Sequence, residues 1–270
     1  MAASVAPATA SPVAKPKGSA GGSYVAIGDS FTAGQGAATI VELSERCKRS
    51  QFASYPAITA GSSSYREALN FACSGADTDA TIAQLADIGA RTKLKASLVT
   101  ITVGGIDANS DQVLAACALN LGPLSCEDTV AAAAANLMRD DAGSVFQELV
   151  GTYTTVAAAF PKARIVVLNY PRLFDPNFPT PQSQLASIMN DATDGLNGVI
   201  ALAVEATKNP RVSLTDVTDE FAGHGIGSNV PYISFNREDL RDPINFHPNA
   251  LGNTAGYSAA LRTDGAVRGR

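Results

Sequence analysis

Few side chains in this sequence could do chemistry at neutral pH, and their types narrow what that chemistry is. Among 270 residues there are two histidines, His224 and His247, and four cysteines, Cys47, Cys73, Cys117 and Cys126. Ser30 stands in Gly28-Asp29-Ser30-Phe31-Thr32-Ala33-Gly34, directly after the short apolar run Tyr24–Gly28. A serine at such a strand-to-helix turn either caps the helix or presents its hydroxyl at the edge of a sheet. A hydroxyl is a weak nucleophile until a base takes its proton, so a catalytic Ser30 needs a histidine brought to it. His247, in Phe246-His247-Pro248-Asn249, is the better candidate. Pro248 suits the first turn of a helix, whose positive end would disfavour imidazolium and keep the ring a neutral base. His224, in Phe221-Ala222-Gly223-His224, has no such context and reads as structural.

The cysteines form no CxxC, and the histidines lie at no ligand spacing from them, so no metal site is expected. Four cysteines allow three pairings, and spacing alone does not choose among them. Neighbours in sequence would join Cys47 to Cys73 and Cys117 to Cys126. The alternative is four reduced, buried thiols in a cytosolic protein.

The elements that must position these groups are short β-branched runs alternating with helical stretches. Tyr24–Gly28, Ala96–Val103, Arg164–Leu168 and Arg211–Asp216 read as strands. Asp128–Phe160 and Pro181–Lys208 are alanine-rich with apolar residues at helical spacing, and Pro161 and Asn209-Pro210 supply the stops. Strands apolar on both faces and separated by helices predict a parallel sheet covered on both sides, a three-layer α/β/α sandwich. In such a sheet the reactive groups sit at the carboxyl ends of the strands. That places attention on Asp29-Ser30, on Gly104–Asp107, on the Cys73–Gly75 region and on Asp242–Asn249. One domain is expected from residue 23 to about 265, after a tail, residues 1–22, too poor in large apolar groups to repay its ordering.

Composition excludes several partners. A net charge of −5 is wrong for a protein that tracks phosphates, and with no tryptophan and 6% aromatic residues a base-stacking platform is not expected. No apolar run reaches the roughly 18 residues that cross a bilayer. A hydrophobic content of 46% against 17% charged leaves a globular protein with ample core.

Taken together, Gly28-Asp29-Ser30 and His247-Pro248-Asn249 resemble the SGNH (GDSL) hydrolase family, and the likeness extends to a secreted bacterial lipase/esterase branch of it. Cys47-Lys48-Arg49-Ser50 with Tyr55-Pro56 is similar to the segment after that branch's first helix. Phe71-Ala72-Cys73-Ser74-Gly75-Ala76 is similar to its second block, Val99–Gly105 to the strand into its third, and Phe221–His224 to a further recurring patch. The GxSxG elbow of the α/β-hydrolases is absent. The resemblance implies a flavodoxin-like sheet, a serine-hydrolase mechanism on Ser30 and His247, oxyanion donors in the amides of Ser30 and Gly75, and no cofactor. It further implies Cys47–Cys73 and Cys117–Cys126 disulfides. A third bridge found in the branch has no cysteines here, its usual position after the Phe221–His224 patch being glycine, at or near Gly227. A secreted monomer acting on a small ester or lipid is the expectation, its signal peptide not present in this sequence.

Two departures from the pattern matter. The third block is Gly-x-Asn-Asp in the family, with the asparagine donating to the oxyanion; here it reads Gly104-Gly105-Ile106-Asp107, and Ile106 has no donor. Asn109 and Asn249 are the amides that could reach in. Such a loss raises a second function class, a catalytically impaired acyl- or glycan-binding protein; an acyltransferase is a third. The other departure concerns the acid three residues before the histidine, where Ile244 stands. Some members of the branch use a main-chain carbonyl instead, which makes the Ile244 carbonyl the expected orienter of His247, ahead of Asp242. Asp29 and Asp107 are expected to anchor their loops.

Overall fold

Apolar residues on both faces of the strands bury them as the middle layer of the molecule. The computed structural model describes residues 22–268 except 38–39, 45–46, 51, 66–67, 118–124, 140, 142 and 178–182. In chain order, β1 (Ser23–Gly28) leads into one turn of helix, α1 (Ser30–Ala33), and then a hairpin of β2 (Ile40–Ser44) and β3 (Cys47–Ser50). There follow α2 (Tyr55–Gly61), β4 (Ala68–Asn70), α3 (Thr78–Ala83), a 3-10 turn (Gln84–Asp87), α4 (Ala90–Lys95) and β5 (Ala96–Thr102). The second half comprises α5 (Ser110–Cys117), α6 (Cys126–Leu137), α7 (Val145–Ala159), β6 (Arg164–Leu168), α8 (Ser183–Ala206), β7 (Val212–Thr215) and α9 (Thr218–Phe221). A π-helical segment (Gly252–Tyr257) then runs into α10 (Ser258–Thr263).

Five strands form a parallel sheet in the order β4-β1-β5-β6-β7. Counted as sheet strands alone this is 2-1-3-4-5, the flavodoxin-like order, whose crevice opens at the carboxyl ends of the two strands where the order reverses. Those strands are β1 and β5, paired from Tyr24 with Leu98 to Gly28 with Thr102. Their alternate side chains enter opposite cores: Tyr24, Ala26 and Leu98 on one side, Val25, Ile27, Val99 and Ile101 on the other. The expected three-layer α/β/α fold is thus the observed one.

Some expectations need correction. β4 and the β2–β3 hairpin were not expected; β4 has three residues, too few to leave a period in the sequence. The helical stretch over Asp128–Phe160 is two helices. The first starts earlier, where the Ser125 side chain accepts from the Asp128 amide, and the second restarts at Ser144, which accepts from Gln147. Asp141, Gly143 and Ser144 are turn formers, and their preference overrides the alanine-rich flanks. Cys47–Cys73 and Cys117–Cys126 are both bonded, which removes the reduced-thiol alternative. The first bridge ties β3 to the loop after β4, and the second joins the end of α5 to the start of α6. Residues 1–21 of the expected tail lie outside the described residues. Among the described residues no helix is long and apolar enough to cross a membrane.

Candidate active site

Ser30 is held by what surrounds the last residue of β1. Gly28 has φ 129°, and a Cβ there would lie 2.2 Å from the Thr102 carbonyl oxygen, so only glycine lets β5 pass this closely. The Gln84 side chain brackets the same residue, its Oε1 accepting from Gly28 N and its Nε2 donating to Gly28 O, each at 2.9 Å. Asp29 donates its amide to the Thr102 carbonyl at 3.0 Å. Its carboxylate accepts from Phe31 N at 2.9 Å and so caps α1. Asp29 therefore takes the capping role that Ser30 could have filled, and the Ser30 hydroxyl is left to the cleft.

There it meets the imidazole. Ser30 Oγ lies 2.8 Å from His247 Nε2, and His247 Nδ1 lies 2.7 Å from the main-chain carbonyl of Asn245. A carbonyl only accepts, so Nδ1 carries the proton and Nε2 presents its lone pair to the serine. The loop bearing His247 is fixed by an antiparallel exchange with Ser234: Phe246 N donates to Ser234 O at 2.9 Å, and Ser234 N to His247 O at 2.8 Å. Gln35, just after α1, donates to the Pro243 carbonyl and ties the two loops together. Phe246 sits at φ 63°, a region costly for a side chain of this size. Phe174 and Phe235 hold its ring, with centroids 6.3 and 5.4 Å away.

The group that His247 Nδ1 meets is thus a main-chain carbonyl, that of Asn245 and not that of Ile244. The Ile244 carbonyl accepts instead from the His247 backbone amide at 3.3 Å. Asp242 is engaged elsewhere, accepting from Ile244 N and from Asn236 Nδ2, each at 3.1 Å. Pro248 is also displaced from its expected place: it bridges to Ile233, and the helix begins beyond it, where Asn249 Oδ1 accepts from Leu251 N and Gly252 N. Burial keeps the ring neutral, pushing the His247 pKa down to about 4 against the opposing pull of the Asn245 and Ile244 carbonyls. The Phe31 ring contributes to that packing, its centroid 5.4 Å from the imidazole.

Of the expected oxyanion donors, the Ser30 amide opens α1, and Gly75 lies in the loop that β4 carries past β1. That loop is pinned by Phe71 N to Ala26 O at 2.7 Å and Cys73 N to Gly28 O at 3.1 Å. Gly75 has φ 76°, and a Cβ placed on it would meet nothing within 4 Å. Neither amide donates to another described residue. Ile106 lines the cleft together with Ser30 and His247 and contributes no donor. Asn109 and Gly75 are both absent from the cleft wall, and Asn249 spends its oxygen on the helix cap and its Nδ2 on Pro231 O. Asp29 and Asp107 anchor their loops as expected; Asp107 Oδ1 accepts from Thr78 N at 3.0 Å and Thr78 Oγ1 at 2.6 Å. His224 stacks on Tyr232 at 3.8 Å, with Nδ1 2.8 Å from the Val230 carbonyl, outside the cleft.

Two contributors had no signal in the sequence. Tyr170, just past β6, is buried, and its hydroxyl joins Asp29 Oδ2 to the Gly105 amide. Burial raises the Asp29 pKa to about 7, with the Tyr170 and backbone hydrogen bonds opposing it. Gln84 is the other. The cleft itself encloses about 130 Å³. Among the described residues no three His, Cys, Asp or Glu are grouped so as to hold a metal ion.

The family model for GDSL-like lipases and acylhydrolases matches residues 26–255. A lipase of Streptomyces rimosus is 32% identical over 246 residues, which are 89% of this chain and 85% of that one. The crystal structure of the extracellular lipase of Streptomyces rimosus superposes with a TM-score of 0.76 at 31% identity, over 90% of this chain and 99% of the other. That of phospholipase A1 from Streptomyces albidoflavus NA297 gives 0.76 at 30% identity, over 90% and 98%.

Proposed function

The chain belongs to the GDSL-like lipase/acylhydrolase family, and from that premise we propose that it is a serine carboxylic-ester hydrolase, a lipase or esterase that works through an acyl-enzyme. The observation that carries this reading is the 2.8 Å contact between Ser30 Oγ and His247 Nε2, with Nδ1 engaged by a carbonyl. As Ser30 attacks the ester carbonyl carbon, His247 takes its proton and then passes it to the departing alcohol. Water, deprotonated in turn by His247, attacks the acyl-enzyme; Ser30 leaves with the proton and the carboxylic acid is released. The Asn245 carbonyl holds the ring tautomer through both halves. Amides of Ser30 and Gly75 receive the oxyanion. Every step uses groups of the chain, so no cofactor is required.

Ile106 favours the second reading, a binding protein that has lost catalysis. The intact Ser30–His247 contact weighs against it, because a binder has no need of a hydroxyl aligned with a neutral imidazole. The acyltransferase reading differs only in the alcohol that replaces water, and product analysis with a competing alcohol separates the two. Two disulfides, and an extracellular relative of the same fold, support export of a single domain spanning 23–265. We assign it as a monomer, to be checked by size-exclusion chromatography.

The test is Ser30→Ala assayed on p-nitrophenyl esters. Loss of turnover by about 10³-fold or more, with an unchanged circular dichroism spectrum, is the expected result. Retained hydrolysis would overturn the assignment.

A further inference from the structure

The loop that carries Gly75 leaves the sheet at its edge, where half of its backbone groups have no strand to pair with. β4 is the outer strand of the sheet. Phe71 N and Cys73 N face inward and donate to β1. By the alternation of an extended chain, the carbonyls of Asn70 and Ala72 then face outward, beyond the last strand. Arg49 of β3 meets both. Its guanidinium donates from Nη1 to Asn70 O, and from Nε to Ala72 O at 2.8 Å. Its Nη2 lies 3.6 Å from Cys47 Sγ and 3.9 Å from Cys73 Sγ. The Asn70 side chain extends the arrangement: Oδ1 accepts from Ala72 N at 3.0 Å, and Nδ2 donates to Thr32 O at 3.1 Å. Thr32 belongs to α1, whose first residue is Ser30. We propose that Arg49 is a positioning residue for the oxyanion site, holding the Gly75 amide in register with that of Ser30. The proposal rests on the ester-hydrolase reading and names what keeps one of its two oxyanion donors in place.

The Gly75 amide needs such a brace. It donates to no other described residue, and Gly75 is no part of the cleft wall. With φ 76° and nothing within 4 Å of its Cβ position, Gly75 is not fixed by packing on that side. Its place is therefore set by the residues just before it. The Cys47–Cys73 bridge ties the loop to β3 at one side chain, which leaves the peptide planes before Cys73 free to tilt. Ser74 adds a tie after it, with N and Oγ 3.4 and 3.1 Å from the Lys48 carbonyl. Arg49 fixes the planes themselves, through two carbonyls two residues apart. A lysine ammonium is a point donor and does not span that separation, whereas a planar guanidinium sends its donors in diverging directions. The charge is half-buried, and burial pulls its pKa down against the attraction of Asp87. Charge-assisted bonds to the two carbonyls offset that cost.

Two substitutions test the role. Arg49→Met keeps the stem of the side chain and removes every donor, while Arg49→Lys keeps the charge but reaches one carbonyl at a time. Both are assayed on p-nitrophenyl butyrate, with active sites counted by fluorophosphonate titration run to completion. A protein that is merely less stable then shows fewer sites and an unchanged rate per site. Removing an oxyanion donor outright costs about 10²–10³ in kcat, and displacing one costs less. Arg49→Met should lower kcat per titrated site by about 10–100-fold, with KM within about twofold. Arg49→Lys should recover part of that loss and remain at least about threefold below the parent. Inhibition by a trifluoromethyl ketone, whose adduct on Ser30 carries the oxyanion, should weaken in step with kcat/KM. A parent-like kcat per site in either variant, or unchanged ketone inhibition where kcat falls, would overturn the proposal and leave ester hydrolysis standing. Should Arg49→Met not fold, Arg49→Lys decides by the same two readings. A parent that hydrolyses no ester would overturn both.

Discussion

The hydroxyl of Tyr170 donates to Oδ2 of the buried Asp29 at 2.5 Å across 141 positions of sequence, and accepts the Gly105 amide at 3.0 Å. One side chain just past β6 thereby ties the loop that carries Ser30 to the loop that carries Ile106. Tyr170→Phe leaves a carboxylate oxygen and an amide buried without partners. It should destabilise the protein by about 2–4 kcal/mol in chemical denaturation. The same change should lower kcat more than it changes KM, because it disturbs the placement of the nucleophile and not the apolar walls.

Stability should also depend on pH through this pair. The Asp29 carboxyl holds its proton to about pH 7 in the folded state, against an ordinary value of 3.8. The stability it contributes is full below 3.8 and is lost as pH rises through about 7. His247 has the opposite sign: its pKa falls from 6.5 to about 4 on folding, so its contribution is lost as pH falls through that window. The two oppose each other between about pH 4 and 6.5, and the Asp29 loss is complete just above its folded value of about 7. The denaturation midpoint of the parent should therefore change little between about pH 4 and 6.5, whereas in Asp29→Asn, with His247 acting alone, it should fall as pH drops through that window.

Activity reports the same imidazole. His247 must be neutral to accept the serine proton, so kcat/KM should fall in acid through a pKa near 4 and not near the ordinary 6.5. A pH–rate profile on a soluble short-chain ester, within the range where the protein stays folded, reads this directly.

Ile106→Asn restores a side-chain donor to the cleft beside Ser30. One oxyanion donor is worth about 10²–10³ in kcat where it has been removed elsewhere. A gain of about tenfold or more in kcat is the expected outcome. An unchanged kcat would mean that the two amides already satisfy the oxyanion.

Ser30 and His247 were paired from the sequence by the resemblance of Gly28-Asp29-Ser30 and His247-Pro248-Asn249 to the SGNH (GDSL) family; by residue type alone Ser30 read as readily as a helix cap, and only the count of two histidines narrowed the base. The sheet was legible where its strands were long and apolar on both faces, as in β5. The partner of His247 Nδ1 was not, because a main-chain carbonyl carries no residue signature. The left-handed turn at Phe246 settles which carbonyl it is, presenting that of Asn245 in place of Ile244. Tyr170 escaped notice for a related reason: a tyrosine after a strand is ordinary until the ends of β1, β5 and β6 are seen side by side. The π-helical segment after Asn249 likewise has no local sequence mark, so Pro248 looked like a helix start.

The central claim is that His247 activates Ser30. Covalent labelling by a fluorophosphonate, with the modified peptide located by mass spectrometry, tests it most directly. The parent should be labelled on Ser30, while Ser30→Ala should not be labelled and His247→Ala should react far more slowly. Label on another residue, or equal labelling of Ser30 with and without the imidazole, would contradict the account.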